Sequence, residues 1–341
     1  MAQSLNQLRS KAVERNSDEF TGFKKIVVFG PPEHENLDII DPAKIITFDY
    51  CVYQSLHARY QENIEFSFHQ QERECYDAAL VYLPKSKREL DLVLAMITPM
   101  LQQGAAIYLV GEKKAGIASA AKKLDAFGKN NSKIDSAKHC QIWQVNLDVN
   151  PATFDIDDWL EVYSVTLNNI SFSICSIPGV FSFGELDQGT LLLLENMFTK
   201  LKGRVLDFGC GSGVLGIYTK LINPEINLEM VDTNLLALFC SRKSVELNNL
   251  EASVYPSNGW VDVKGRVDAV VTNPPFHSGV STEYQTTETF IQSAPDKMTK
   301  HAPFLLVANS FLKYSAIIEK KFGRCDILAE NKKFRVYKAY R

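Results

Sequence analysis

The chain has 341 residues, 45% of them hydrophobic and 23% charged, with a formal net charge of −3. That length suits two domains, each able to bury its own core, and the charge gives no global pull toward nucleic acid. No apolar run approaches the length needed to cross a bilayer. The polar stretch Met1–Phe20 carries no cleavage signal, and the seven cysteines are scattered without a Cys-x-x-Cys pair. A cytosolic, monomeric protein with no membrane segment, no disulfide framework and no metal site is therefore expected.

Taken in chain order, Lys25–Gly30 (KIVVFG) is a β-branched run that ends in glycine before Pro31 and Pro32, the pattern of a buried strand leaving into a loop. Similar runs recur at Ala78–Leu83 and Ala105–Val110, separated by charged, helix-like stretches. Strands alternating with helices imply a parallel α/β sheet. Trp159–Cys175 alternates in strand fashion and Pro178-Gly179 marks a turn, so a domain boundary is expected between Pro151 and Phe181, giving units of 1–160 and 161–341.

The second half repeats the order, with strands expected at Arg204–Gly209, Asn227–Asp232, Val267–Thr272 and Pro303–Ala308. Cys325–Glu330 and Phe334–Tyr340 are separated by only Asn331, Lys332 and Lys333, which predicts an antiparallel hairpin. This last stretch is also locally basic: Lys313, Lys320, Lys321, Arg324, Lys332, Lys333, Arg335, Lys338 and Arg341 face only Glu319, Asp326 and Glu330. It reads equally as a solvated face and as a phosphate-contacting one. A mostly parallel sheet closed by a terminal antiparallel hairpin resembles the Class I, Rossmann-like methyltransferase fold.

The halves resemble each other. Tyr76–Pro84 (YDAALVYLP) aligns with Val267–Pro275 (VDAVVTNPP), and each follows a strand ending in Phe-Gly, at Phe29-Gly30 and Phe208-Gly209. The expectation is two tandem copies of one fold. The first carries Gly30-Pro31-Pro32-Glu33 where the second has a glycine-rich turn, and Tyr82-Leu83-Pro84-Lys85 where the second has Asn273-Pro274-Pro275-Phe276, so the first copy is degenerate.

In the second copy the strand ending Asp207-Phe208 runs into Gly209-Cys210-Gly211-Ser212-Gly213, with helical spacing from Val214 onward. Such glycines bring a ligand close to the main chain at a helix N-terminus, where amide N–H groups favour an anion. Gly211-x-Gly213-x-x-Gly216 also satisfies the dinucleotide pattern, with Asp232 at about the right distance for a ribose. Asp207 tilts the choice toward S-adenosylmethionine, because a carboxylate before the loop would repel a pyrophosphate and suits the ammonium of a methionine moiety. Asp232 is a ribose acceptor or a helix N-cap. Asn258, in Ser257-Asn258-Gly259, is an adenine contact or a plain turn residue.

Asn273-Pro274-Pro275-Phe276 follows the strand at the carboxyl end, where open α/β sheets bind their ligands. Two prolines stiffen the backbone and leave the Pro274 carbonyl beside the Asn273 side-chain oxygen, a pair of acceptors aimed at one point. Acceptors on an exocyclic amino group favour a pyramidal nitrogen and stabilise the positive charge that grows as it attacks a methyl group. Phe276 offers a face on which an extruded base can stack. His277 adjoins the motif as a loop residue or a phosphate contact. The bare motif is also compatible with a rigid turn, and adenine N6, guanine N2 and a protein glutamine amide all present the amino group it needs.

Ile177–Ser182 (IPGVFS), Leu186–Leu193 (LDQGTLLL), Asp207–Gly211 (DFGCG) and Thr272–His277 (TNPPFH) resemble the 16S rRNA guanine-N2 methyltransferase family of RsmC type. Val307–Leu312 (VANSFL) and Phe334–Ala339 (FRVYKA) extend the match toward the C-terminus. The resemblance is strong over Ile177–Tyr340 and weaker but consistent in the first half. It implies S-adenosyl-L-methionine as cofactor, and guanine-1207 in helix 34 of 16S rRNA, within the small ribosomal subunit, as target. It also implies a first domain that binds no cofactor and serves recognition or folding, and that Phe181, Asp187 and Thr190 line the cofactor pocket. On residues alone, Asp187 is an N-cap of a helix over Gln188–Leu201.

Overall fold

The computed structural model describes residues 5–68, 73–148, 153–197, 200–274 and 281–341. The chain divides into two compact units, Met1–Trp159 and Leu160–Arg341. The first contains α1 (Leu5–Arg15), β1 (Ile26–Phe29), β2 (Lys44–Ile46), α2 (Tyr50–Tyr60), β3 (Ile64–Glu65), β4 (Tyr76–Tyr82), α3 (Lys87–Ile97), β5 (Leu101–Glu112), α4 (Ile117–Ala120), β6 (Ser132–Ala137) and β7 (Cys140–Asn146). Its seven strands lie in the order β3-β2-β1-β4-β5-β7-β6, with β7 antiparallel to both neighbours and the other pairings parallel.

The second unit opens with a separate hairpin, β8 (Glu161–Leu167) and β9 (Ile170–Ser176). There follow α5 (Gln188–Asn196), β10 (Arg204–Phe208), α6 (Val214–Ile222), β11 (Asn227–Asp232), α7 (Leu235–Leu247), β12 (Ala252–Pro256), β13 (Ala269–Thr272), α8 (Ser281–Lys297), β14 (Pro303–Asn309), α9 (Tyr314–Phe322), β15 (Asp326–Glu330) and β16 (Phe334–Tyr340). The sheet order, β12-β11-β10-β13-β14-β16-β15, repeats that of the first unit strand for strand. The duplicated Rossmann-like fold expected from the two aligned segments is present, terminal hairpins included. Among the described residues no helix is long and apolar enough to cross a membrane.

Several boundaries differ from expectation. The strand expected from Val267 begins at Ala269, because Val267 bridges to Met298 instead of joining the ladder. The helix expected to reach Leu201 ends at Asn196, whose side-chain amide turns back to the Leu192 carbonyl at 2.8 Å. Strands β2 and β3, three and two residues long, are too short to show a periodicity.

Helices cover both faces of the second sheet, so alternate residues of one strand enter different cores. Val205, Val271 and Val307 pack on one side; Leu206, Val270 and Leu306 pack on the other. Near the carboxyl edge, Phe208 stacks on Phe290 at 3.7 Å between ring centroids, and Phe290 stacks on Trp260 at 4.5 Å. The strand ends that carry the site therefore rest on closely packed rings.

A carboxylate at the start of the fourth strand ties each sheet together. Asp268 accepts the Arg204 N–H at 2.9 Å and the Thr299 hydroxyl at 2.8 Å. Asp77 does the same for the backbone N–H groups of Lys24 and Lys25, at 2.7 and 2.9 Å. Water competes for the exposed Asp77 bonds but less for the partly buried Asp268 bonds. Asp268→Ala is accordingly expected to cost about 1–2 kcal/mol in urea denaturation, and Asp77→Ala less than about 1 kcal/mol. The reverse order would show that these bonds do not anchor the strands as described.

Candidate active site

The site grows from the turn after β10. The N–H groups of Gly209 and Cys210 both donate to the Val231 carbonyl, at 2.9 and 3.0 Å, which pins the turn to the end of β11. Gly213, at the head of α6, has φ +92, which favours glycine, and a Cβ there would press on the Met230 methyl at 2.9 Å. Gly211 also has positive φ, and its N–H donates to Asp232 Oδ2 at 3.0 Å. The other Asp232 oxygen accepts the Asn234 N–H at 2.9 Å, while Asn234 itself caps α7. Asp232 thus clamps the glycine turn while its side chain remains half-buried at the edge of the cleft. Of its two sequence readings, the cap position belongs to Asn234.

Asp207 lies beneath this turn at 1% exposure. Its Oδ2 accepts the Gly216 N–H at 2.8 Å, and its Oδ1 is buried without a hydrogen-bond partner among the described residues. Burial, with the Asp232 charge adding to it, raises the carboxyl to about 7 against the opposing effect of the Gly216 bond. The amide of the third glycine in the dinucleotide-like pattern is therefore occupied by a carboxylate. A pyrophosphate would meet negative charge here, whereas a cationic donor would supply the missing bond and lower the carboxyl's proton affinity.

Across the strand ends, Asn273 follows β13 with Pro274 buried behind it. The Asn273 amide donates to Asp187 Oδ2 at 3.0 Å and to Thr190 Oγ1 at 2.8 Å. A carboxylate only accepts, so the amide nitrogen must face Asp187 and the oxygen must face away. That oxygen, Oδ1, is buried and has no partner among the described residues. Asp187 does two jobs with one atom: Oδ2 also accepts the Thr190 N–H at 2.7 Å and so caps α5. Sequence reasoning placed Asp187 and Thr190 beside the cofactor and missed their bonds to Asn273. Nothing local could signal them, since the partners are 86 and 83 residues apart.

The Ser257–Gly259 turn joins the same edge, with the Ser257 N–H donating to the Asp232 carbonyl at 3.1 Å and Asn258 partly exposed beside it. Phe181 is 54% exposed, so much of its ring is available to a ligand. Pro275, Phe276 and His277 lie outside the described residues. Among the described residues no group of three His, Cys, Asp or Glu side chains could hold a metal ion.

The first unit keeps the frame and loses these side chains. Gly30 donates to the Ile46 carbonyl at 2.9 Å as Gly209 does to Val231, which sets Thr47 in the place of Asp232. Thr47 Oγ1 accepts the Asp49 N–H at 3.0 Å, the bond that Asp232 makes to Asn234. Strand register sets Tyr82 in the place of Asn273. Its ring is buried, and its hydroxyl bonds Glu35 at 3.1 Å in the loop that replaces the glycine turn. An aromatic ring and an acid fill the space in this unit where the second has its acceptor.

Each of the two units matches a family model of its own. Residues 171–338 match the family model described as Methyltransferase small domain, and residues 10–163 match Methyltransferase small domain N-terminal. Ribosomal RNA small subunit methyltransferase C of Psychromonas ingrahamii is 40% identical over 332 residues, 96% of this chain and 95% of that protein. The protein of the same name from Pseudoalteromonas atlantica is 45% identical over 262 residues, 77% and 76% of the two chains. The solved T. thermophilus 16S rRNA N2 G1207 methyltransferase (RsmC), in complex with AdoMet and guanosine, shares the fold with a TM-score of 0.84 at 21% identity, over 99% of this chain and 92% of that one.

The raised Asp207 carboxyl has a measurable consequence. Between its ordinary value of 3.8 and about 7, the folded state holds a proton that the unfolded chain has lost, so this group's contribution to stability falls as pH rises through that window. Urea melts of the ligand-free protein between pH 5 and 7 should show this slope, at most about 1.4 kcal/mol per pH unit, flattened in Asp207→Asn. Identical slopes for the two proteins would contradict the assignment.

Proposed function

The chain belongs to the family of ribosomal RNA small subunit methyltransferase C, and on that premise we propose that it methylates the exocyclic N2 of a guanine in 16S rRNA, using S-adenosylmethionine. The observation that carries the reading is the Asn273 oxygen, a buried acceptor with no donor among the described residues, locked in orientation by Asp187 and Thr190. A planar amino group on an extruded base is the donor it lacks. The guanine we assign is the one specified by the name of the T. thermophilus enzyme, G1207, presented in the small subunit.

The residues present fit the cofactor. Asp207 Oδ1 is an orphaned acceptor suited to an ammonium, and the turn Gly209–Gly213 allows close approach of the backbone. Asp232 and Asn258 border the same edge, where we assign them to ribose and adenine; Phe181 completes that pocket. When bound, S-adenosylmethionine supplies an electrophilic methyl group on a sulfonium. The chain's own part is positional and electrostatic. Asn273 Oδ1 and the Pro274 carbonyl accept the two N–H bonds of the amine, draw its lone pair out of conjugation, and stabilise the positive charge that develops on nitrogen. Phe276 stacks on the base. We assign the first unit, with Thr47 and Tyr82 in the key positions, to substrate recognition or folding support.

The purified chain incubated with labelled S-adenosylmethionine should label 16S rRNA in small subunits and leave release-factor protein unlabelled; label on protein alone would sink the reading. Asn273→Ala should lower single-turnover transfer by about 100-fold or more, with cofactor affinity within about twofold. Asp187→Ala and Thr190→Val act through the Asn273 amide and should lower kcat by about tenfold. A rise in cofactor Kd with kcat unchanged would instead make these two pocket-lining residues. Cofactor affinity should strengthen as pH rises toward 7, since the Asp207 carboxylate is the form that receives an ammonium. Titration calorimetry between pH 5.5 and 7.5 checks this, and an affinity that falls over the range would contradict it.

A further inference from the structure

Resting on the reading above, we propose that a basic corner at the carboxyl edge of each sheet grips the phosphate backbone of the RNA, and that in the second unit the exposed ring of Phe311 stacks on a base beside the target. The corner forms where the loop after β14 meets the turn between β15 and β16. Ser310 stitches the two together, its N–H donating to the Lys333 carbonyl at 2.7 Å and its hydroxyl to that of Lys332 at 3.3 Å. Asn331 Oδ1 holds the turn by accepting the N–H groups of Lys333 and Phe334, at 2.9 and 2.7 Å. On this frame Lys313, Lys332 and Lys333 are all exposed, and the nearby Glu330 is engaged by Arg335. Phe311 is 65% exposed beside them, while the next residue, Leu312, is buried as the anchor.

The corner abuts the target site. A Cβ on Gly189 would lie 2.9 Å from the Phe334 ring and 3.0 Å from Asp187 Oδ2, so the first residue of β16 packs directly against the turn that orients Asn273.

The first unit supplies an independent observation. Lys113 donates its N–H to the His139 carbonyl at 2.8 Å, the same stitch between the same two elements, as the pairing of Glu112 with Cys140 and of Asn309 with Phe334 requires. Lys113, Lys114 and Lys138 are exposed there. Cofactor binding cannot account for this corner, because that unit has Thr47 and Tyr82 where the acceptors stand. Clustered ammonium groups beside an exposed aromatic are the chemistry of a strand of RNA, with phosphates for the charges and a base for the ring. The net charge of −3 is then no objection, since the cationic surface is local. The other lysines of the basic C-terminal stretch lie elsewhere. α9 carries the chain back from the end of β14 toward the start of β15, which sets Lys320 and Lys321 at the opposite edge.

The test is filter binding of the full chain, across a salt series, to a 16S rRNA fragment containing the target guanine and to small subunits. The variants are Lys313→Glu/Lys332→Glu/Lys333→Glu, Lys113→Glu/Lys114→Glu/Lys138→Glu and Phe311→Ala, with Lys320→Glu/Lys321→Glu as control. Each triple variant should weaken RNA binding by about tenfold or more at physiological salt and reduce the slope of log K against log salt by about 2. Phe311→Ala should cost about fivefold or more with the slope unchanged, and the control should stay within about twofold. Urea melts that match the unsubstituted chain, together with equal S-adenosylmethionine affinity, report that both units of each variant are folded. If the unsubstituted chain methylates the RNA while both triple variants bind it equally well, the corner proposal falls and the functional reading stands. If the unsubstituted chain puts no methyl group on RNA, both fall.

Discussion

A buried hydrogen-bond acceptor that has lost water and gained no donor is unfavourable by about 1–3 kcal/mol, and among the described residues Asp207 and Asn273, at neighbouring strand ends of the second sheet, each carry one. Asp207 Oδ1 lies under the glycine turn, and Asn273 Oδ1 lies at the end of the adjacent strand. Each belongs to a side chain whose other polar atom is held: Asp207 by Gly216, Asn273 by Asp187 and Thr190. The remaining atom of each is buried from water and has no partner among the described residues. On the proposed reading, donors from outside would relieve both, an ammonium for the carboxylate and an aromatic amine for the amide. The fold thus holds its acceptors in place before either ligand arrives, which is the pre-organisation that positional catalysis needs.

The rest of the second unit serves that constraint. The Phe208–Phe290–Trp260 stack fixes the strand ends from below. Asp232 joins the turn to β11 and α7, and Asp187 joins α5 to Asn273. The first unit works as an internal control, since it keeps the strand order, the glycine at the first strand end and the acid that opens the fourth strand. By strand register Val28 and Tyr82 stand there in place of Asp207 and Asn273, and the Tyr82 hydroxyl is bonded to Glu35. One backbone therefore supports either outcome, and side chains at two strand ends decide which.

The sequence was informative wherever the relevant physics is local. Apolar runs ending in glycine or proline marked most central strands, the spacing of Cys325–Tyr340 marked the hairpin, and the alignment of Tyr76–Pro84 with Val267–Pro275 marked the duplication that the two sheets display. Strands β2 and β3 escaped because the sheet around them, not their own pattern, makes them strands. The linkage of Asn273 to Asp187 and Thr190 escaped for a different reason: it exists only once α5 packs against the sheet, and the N-cap signal at Asp187 already explained that residue. The basic C-terminal stretch could not be divided by eye either. Hairpin topology separates Lys332 and Lys333 from Lys320 and Lys321, which composition lumps together.

The most direct measurement is mass mapping of modified nucleotides in 16S rRNA from cells that lack this chain. The account requires the loss of one N2-methylguanosine, restored by the unsubstituted chain and not by Asn273→Ala. An unchanged modification map, or full restoration by Asn273→Ala, would contradict it.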